Sequence, residues 1–525
     1  MILLDLMTKD ILLFNASIPG IASDPADALF VSAGKIKYVG ELNTLSNLLP
    51  IGHESIDLDG KVVLPGFCDH HLHLQYLADR LNAVDCETDS LEECLKRVER
   101  RATITPPGDW IIGYGWDQNI WEPPNYGTVA QLDAISKQHP ILLHAKSLHA
   151  AWANSMALRI AGIDNSNTNP QGGVILRDQN GELTGILLEN AITLVARCIA
   201  EPGTEAVALQ IQHAQLYLHS LGITAVHDFD RFESAEALLS LVDKDLLRLR
   251  VKKNLPSEDL NEVLSARWQQ TLDKAPFLQP GWVKLFADGA LGPQSAAMLA
   301  PYEGSQSCGM LLLSADQIAE TGIRAARDNW AISVHAIGDR AVKETLDGIE
   351  IIRKHETENN LPRLSHRIEH IQLIQPDDLK RMKNLDVIAS VQPVHATSDM
   401  FTADHHWGKR CEFAYAYNEM FNHDLHVWFG SDAPVENPDP LAGIFAAVTR
   451  QRLDGAPGSQ GCYPHQRVSM TDALRSFRQV GVSLEPGANA DLIVLETDPA
   501  QLLPHELHQL KPLLTMVAGD IVFTS

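Results

Sequence analysis

The segment Lys61-Val-Val-Leu-Pro-Gly-Phe-Cys-Asp-His-His-Leu-His73 joins an apolar run to a histidine pair. Val62 to Leu64 and Phe67, interrupted by Pro65-Gly66, read as a buried strand at 61–67, and His71 and His73 follow two residues apart. In an extended chain residues i and i+2 point to the same side, so both imidazoles can reach one ion. Imidazole is the commonest protein ligand for zinc and its neighbours. A His-x-His by itself is weak, because a hydrogen-bonded structural pair has the same pattern. Its weight depends on what the later strands supply.

Working outward, apolar β runs ending in polar residues recur at Gly222–Asp228, Leu249–Lys253, Trp282–Asp288, Ala331–His335, Arg367–His370, Val387–Val391 and His426–Asp432. Stretches such as Ser314–Asn329 and Arg340–Glu356 between them carry apolar residues at helical spacing. With the strand at 61–67 this makes eight β/α units and predicts an α/β protein built on a (β/α)8 TIM-like barrel, whose active site lies at the C-terminal strand ends. The polar termini are His71 and His73 on the first strand, Lys284 on the fourth, His335 on the fifth, His370 on the sixth and Asp432 on the eighth. Four histidines, a lysine and a carboxylate thus converge on one face, which packing does not explain.

The flanks read differently. Ile11–Phe14, Ala28–Val31, Lys35–Val39 and Glu54–Leu58 are short strands expected to pair antiparallel, and Ala490–Leu495, Leu514–Val517 and Ile521–Phe523 repeat the pattern at the other end. Both chain ends are therefore expected to build one small β-domain, with the barrel inserted between them. Residues 76–221 are too long for one connection and predict a lid or subdomain over the barrel mouth, containing Gly113-Tyr-Gly-Trp-Asp117, Trp121 and His149 to Asn154. Residues 451–467, with Gly455, Pro457, Gly458 and Gly461, read as a loop near that mouth.

Composition narrows the function. The 525 residues carry 42 Lys+Arg against 67 Asp+Glu, a net charge of −25 that repels nucleic acid and anionic membranes, so a small-molecule substrate is expected. Seven cysteines, an odd number without a Cys-x-x-Cys pair, argue against a disulfide framework and a thiolate zinc site and fit a reducing compartment. The N-terminal stretch has Asp5 and Asp10 and no basic leader, and no window of 18 apolar residues occurs, so a cytoplasmic location without a membrane span is expected.

The segments LPGFCDHHLHL, WVKLFADGALG, VHAIGDRAV, SHRIEHIQL, ASVQPVH, FGSDAPVENPDPLAGIFAAVTR and PGANADLIVLETDP resemble the amidohydrolase superfamily, in particular its YtcJ-like (amidohydrolase 3) branch, which includes N-substituted formamide deformylases. The resemblance runs nearly end to end. It implies a metal-dependent hydrolase, with a composite β-sandwich from residues 1–64 and 483–525 and a barrel over 65–482 holding the insertion within 76–221. It places a first metal on His71, His73 and Asp432 and a second on His335 and His370, bridged by Lys284 as a carbamate formed with carbon dioxide. One or two divalent ions per chain follow, with zinc the first expectation. A buried neutral amine can add carbon dioxide, whereas an ammonium cannot; the plainer alternative is that Lys284 pairs with Asp288.

The implied reaction is hydrolysis of an amide or N-substituted formamide C–N bond by metal-activated water, with Asp432 as the general base that later protonates the leaving amine. His227 on the second strand is a candidate hydrogen-bond donor to the oxyanion, or else a structural histidine. Trp116 and His149 are candidate substrate contacts, with packing the competing reading for the aromatic. Arg367 and Glu369 read as a supporting ion pair behind the ligands. His144 and Ser147 stand where relatives often carry an arginine and an aspartate, so specificity does not transfer, and the segment after Met470 is shortened. Aromatic residues within 110–126 hint at an apolar or aromatic substituent beside the scissile bond. Three rival functions remain: a mononuclear deaminase, which typically has a glutamate where this chain has Gly338; an isomerase or decarboxylase using the same metals; and a non-catalytic scaffold, which should have lost its ligands. A homodimer stays open.

Overall fold

At Gly66 the chain leaves one sheet and enters another. This is seen in the computed structural model, which describes residues 10–20, 26–45, 49–147, 149–264, 268, 277–479 and 481–525. Val62–Pro65 pairs antiparallel with Leu492–Leu495, whereas Phe67–Leu72 is the first barrel strand, which corrects the expectation of a barrel strand at 61–67. Proline has no N–H to donate to a ladder. No side chain fits at residue 66, where a Cβ would lie 2.3 Å from Thr224 Cγ2. The N-terminal residues up to Lys9, on which the leader reading partly rested, lie outside the described residues.

The barrel contains eight parallel strands, each hydrogen-bonded to the next: Phe67–Leu72, Ile223–Asp228, Arg250–Pro256, Leu278–Phe286, Ile332–Ala336, Arg367–His370, Ile388–Val391 and Val427–Phe429. The eighth strand returns to the first where the Asp432 N–H donates to His71 O at 2.6 Å and the His73 N–H to Ala433 O at 2.8 Å. The helices expected at 314–329 and 340–356 are Ala315–Ala326 and Asp339–Glu358. Ser314 and Gln317 cap the former reciprocally, and its buried residues Ile318, Ala319, Gly322, Ala325 and Ala326 follow helical spacing.

Both chain ends contribute to a two-sheet sandwich. The first sheet runs Lys35–Gly40, Ala28–Ser32, Ile11–Phe14, Glu54–Asp57, and the second runs Asp520–Thr524, Leu514–Val517, Leu492–Leu495, Val62–Pro65. Ile11, Leu13, Val31 and Ile36 of the first share one core with Val63, Leu492, Val494 and Met516 of the second. Glu54–Asp57 pairs parallel to Ile11–Phe14, not antiparallel as expected. The stretch after Gly40 is long enough to cross back before Glu54, which a parallel neighbour requires.

By contact density the chain divides into residues 1–77 with 207–525, and residues 78–206. The second unit holds a mixed six-stranded sheet, in which Val84–Asp85, Ile111–Trp116 and Ile141–Ala145 run parallel and Ala150–Ala153, Leu183–Glu189 and Gly173–Arg177 continue antiparallel. Trp116, Trp121 and Trp152 lie in its core. No helix among the described residues is long and apolar enough to cross a membrane.

Candidate metal centre

Asp432 Oδ1 lies 3.5 Å from His71 Nε2 and 3.4 Å from His73 Nε2, and its Oδ2 lies 3.8 Å from His395 Nε2. The His370 ring stands 4.9 Å from that of His71, 4.6 Å from that of His335 and 6.2 Å from that of His395, centroid to centroid. The barrel thus gathers residues separated by more than 350 positions in the sequence. Lys284 is buried beside this group, its Nζ 4.8 Å from the ring centroids of Phe229 and Phe286. It does not pair with Asp288, whose carboxylate instead accepts backbone N–H bonds from Ala297, Ile337 and Gly338 at 2.8–3.0 Å.

Strand alternation alone does not produce this arrangement. Arg367 and Glu369 share one face of the sixth strand, so His370 would face the other way. Its φ of +72° turns the backbone into the left-handed region, and its ring joins the histidines inside the barrel. Asp432 also has a positive φ, +60°, where the chain leaves the eighth strand. Non-glycine residues in this region cost energy and cluster at functional sites.

Each imidazole is held from behind. His71 Nδ1 donates to Glu369 Oε2 at 2.7 Å, His370 Nδ1 to Gln392 Oε1 at 2.9 Å, and His335 Nε2 to Gly289 O at 2.9 Å. In each ring the other nitrogen is left as a lone pair. Asp230 Oδ1 lies 3.4 Å from His73 Nδ1. Behind Glu369, Arg367 closes a buried pair at 2.5 Å and 2.8 Å, and Ser333 Oγ donates to Glu369 at 2.6 Å. The Phe229 ring stacks on His71 with centroids 3.8 Å apart.

Burial lowers His71 to about 4 and His335 to about 3 and drives His370 well below its usual value, so these rings are neutral at pH 7. Burial works against the His73 cation too, but Asp230 and Asp432 outweigh it and bring His73 to about 9. Burial alone would raise Asp432, yet the surrounding imidazoles, His71 first, hold it well below the usual carboxylate range. Burial brings Lys284 down to about 8.

This donor set fits a divalent cation. Ligands about 2.0–2.2 Å from a tetrahedral zinc lie roughly 3.3–3.6 Å from one another, and the His71–Asp432 and His73–Asp432 separations, 3.5 Å and 3.4 Å, fall in that range. His395 Nε2 is buried without a hydrogen-bond partner, as expected of a site built around an ion.

The structure does not bring every expected residue here. His227 sits among His70, Trp282 and Trp428, and its Nδ1 accepts from Arg367 Nη1 at 2.7 Å, so it belongs behind the ligands rather than beside Asp432. The second strand continues past it, and Phe229 and Asp230 reach the ligands instead. Cys68, His70 and His227 also cluster, but Arg367 leaves the His227 proton on Nε2, and Lys252 adds a second cation nearby, so a metal is repelled there. Trp116 is enclosed in the core of the 78–206 unit, its Nε1 donating to Leu143 O at 2.8 Å, so packing accounts for it. His149 lies on that unit's exposed surface, 3.0 Å from Glu189. His395, Asp230 and Gln392 are not among the residues the sequence singles out, although each lies at or just past a strand end, as the candidate ligands do.

A sequence profile described as "Amidohydrolase family" matches residues 54–523. The putative amidohydrolase YtcJ of Bacillus subtilis (strain 168) is 30% identical over 95% of this chain and 96% of its own. The N-substituted formamide deformylase of Arthrobacter pascens is 27% identical over 97% of this chain and 98% of its own. The crystal structure of an uncharacterized metal-dependent hydrolase from Pyrococcus furiosus superposes with a TM-score of 0.74 at 29% identity, covering 94% of this chain and 100% of that one.

Proposed function

Since the chain belongs to the amidohydrolase family, we propose that it is a metal-dependent hydrolase cleaving a C–N bond of amide or N-substituted formamide type in a small molecule. The observation that carries this reading is the Asp432 carboxylate facing His71 and His73 at ligand spacing. His71, His73 and Asp432 would hold a divalent ion, zinc by the chemistry of these donors, which would supply Lewis acidity toward the carbonyl and toward water.

The chain's own residues do the rest. Glu369 orients His71, Gln392 orients His370, and Asp432, ionised at neutral pH, takes a proton from the attacking water and returns it to the leaving nitrogen. The products are a carboxylic acid, formic acid for a formamide, and an amine. Lys284, brought by burial to about 8, presents some neutral amine to carbon dioxide; its carbamate would add a carboxylate beside His335 and His370 for a second ion. We assign this chemistry to residues 65–482 and the sandwich to 1–64 and 483–525, and we place the protein in the cytoplasm.

A specific observation counts against the deaminase. At Gly338 a Cβ would lie 2.0 Å from Ala297 O, so position 338 admits no side chain, let alone the glutamate that reading wants. The test is elemental analysis of protein purified without chelator, together with wild type and Asp432→Asn assayed on N-substituted formamides and N-acyl amines. Bound divalent metal and release of amine, lost in the variant with the fold retained, are expected. Metal-free protein, or amine release undiminished in Asp432→Asn, would overturn the reading.

A further inference from the structure

We infer that His395 is a further ligand of the second ion, the one placed beside His335 and His370, and that it meets Asp432 there so that the Asp432 carboxylate serves two ions. The inference rests on reading this barrel face as a metal centre, and it adds a ligand from the connection after the seventh strand.

His395 lies on the helix Pro393–Ser398, is buried, and directs Nε2 at Asp432 Oδ2 from 3.8 Å. That distance is too long for a hydrogen bond, and Nε2 has no other partner. A structural histidine this deep is expected to satisfy both nitrogens. Ligand atoms of His370, His395 and Asp432 all lie within 4.8 Å of one another.

The other nitrogen is decisive. His395 Nδ1 lies 3.4 Å from the Gln372 amide nitrogen, while Gln372 Oε1 is buried without a partner. Amide oxygen and nitrogen are assigned from the surrounding network, and rotating this amide by half a turn brings Oε1 to face His395 Nδ1. Oε1 then accepts the Nδ1 proton, and Nε2 becomes a lone pair aimed at Asp432. His370 already has this arrangement, since its Nδ1 donates to Gln392 Oε1 at 2.9 Å. Two glutamines thus hold two imidazoles in the same tautomer, the device by which proteins orient metal-binding histidines. The rings of His370 and His395 lie within 16° of parallel, with centroids 6.2 Å apart.

The experiment measures ion stoichiometry and affinity, not turnover. Wild type, His395→Ala, His395→Gln and Gln372→Leu are loaded with zinc, analysed for metal per chain and titrated against a chromophoric chelator. Cobalt(II)-loaded samples give the d–d spectrum, and thermal unfolding reports the fold. Wild type is expected to hold two ions, and both His395 variants one, the weaker ion falling in affinity by more than the ~10–100-fold that loss of a supporting residue costs. Gln372→Leu should fall within that range. If His395→Ala does not fold, His395→Gln alone carries the comparison. Two ions held with unchanged affinity and cobalt spectrum in a folded His395 variant would overturn the inference, even if kcat fell, since His395 would then act on substrate. A single ion in wild type would overturn it while leaving the proposed function standing; no ion would overturn both.

Discussion

The backbone N–H of Asp432 donates to the carbonyl oxygen of His71 at 2.6 Å, while the side chains of the same two residues face each other at 3.5 Å. The contact that closes the barrel is therefore also the one that sets Asp432 against His71. The histidines come from the first strand and its end and the carboxylate from beyond the last, so they meet only because the eighth strand pairs with the first.

The pair behind this centre should be tightly coupled. Arg367 and Glu369 are both fully buried, and removing one partner strands the other's charge. Arg367→Met and Glu369→Gln are each expected to cost about 3–5 kcal/mol in urea unfolding, and the double variant less than their sum by about 0.5–3 kcal/mol. Glu369→Gln should also weaken metal binding about 10–100-fold, because the carboxylate that accepts from His71 Nδ1 becomes a neutral amide. Strict additivity in the double variant would count against the coupling.

Removal of metal should lower stability. A ligand bound only by the folded state stabilises by about 4 kcal/mol when present at a thousand times its Kd. Dialysis against a strong chelator is expected to lower Tm and abolish amine release, and added zinc to restore both. An unchanged Tm would mean the cluster is held together without an ion.

His219 predicts a pH dependence away from the site. It is buried, its Nδ1 donates to Ile223 O at 3.1 Å, and burial lowers it to about 4 from 6.5. Near pH 7 both folded and unfolded chains carry it neutral. Between pH 6.5 and about 4 the unfolded chain takes up a proton that the folded chain refuses, so stability falls as pH falls through this window and levels off below it. The loss from this residue is on the order of 3 kcal/mol. His219→Gln should flatten the slope of the urea midpoint between pH 7 and pH 5, and an unaltered slope would exclude the residue as its source.

Gly66 should tolerate no side chain. With Thr224 Cγ2 and Oγ1 at 2.3 and 2.4 Å from a Cβ there, Gly66→Ala has to push the first and second barrel strands apart. Overpacking of this kind typically costs about 1–3 kcal/mol. Thr224→Ala in the same background should recover most of it, as measured by thermal unfolding.

Local pattern makes most of the elements and of the candidate ligands legible. Apolar runs of strand length with polar ends, alternating with helical periodicity, identify seven of the eight barrel strands and misplace the first, and reading those ends yields His71, His73, His335, His370 and Asp432, because in a parallel barrel the strand end is the functional face. Both chain ends were legible as strands for the same local reason. Tertiary structure decided what local pattern does not encode. Gly66 divides one apolar run between two sheets, because Thr224, from a distant strand, occupies the space beside it. His370 faces inward against alternation because its backbone is left-handed. Glu369 supports His71 from 298 residues away, and His227, one residue short of its strand end, lies among tryptophans while Asp230 and His395 reach the centre. Periodicity reports which side of an element a residue occupies; which residues meet there is set by strand register and barrel closure, and those depend on contacts between segments hundreds of residues apart.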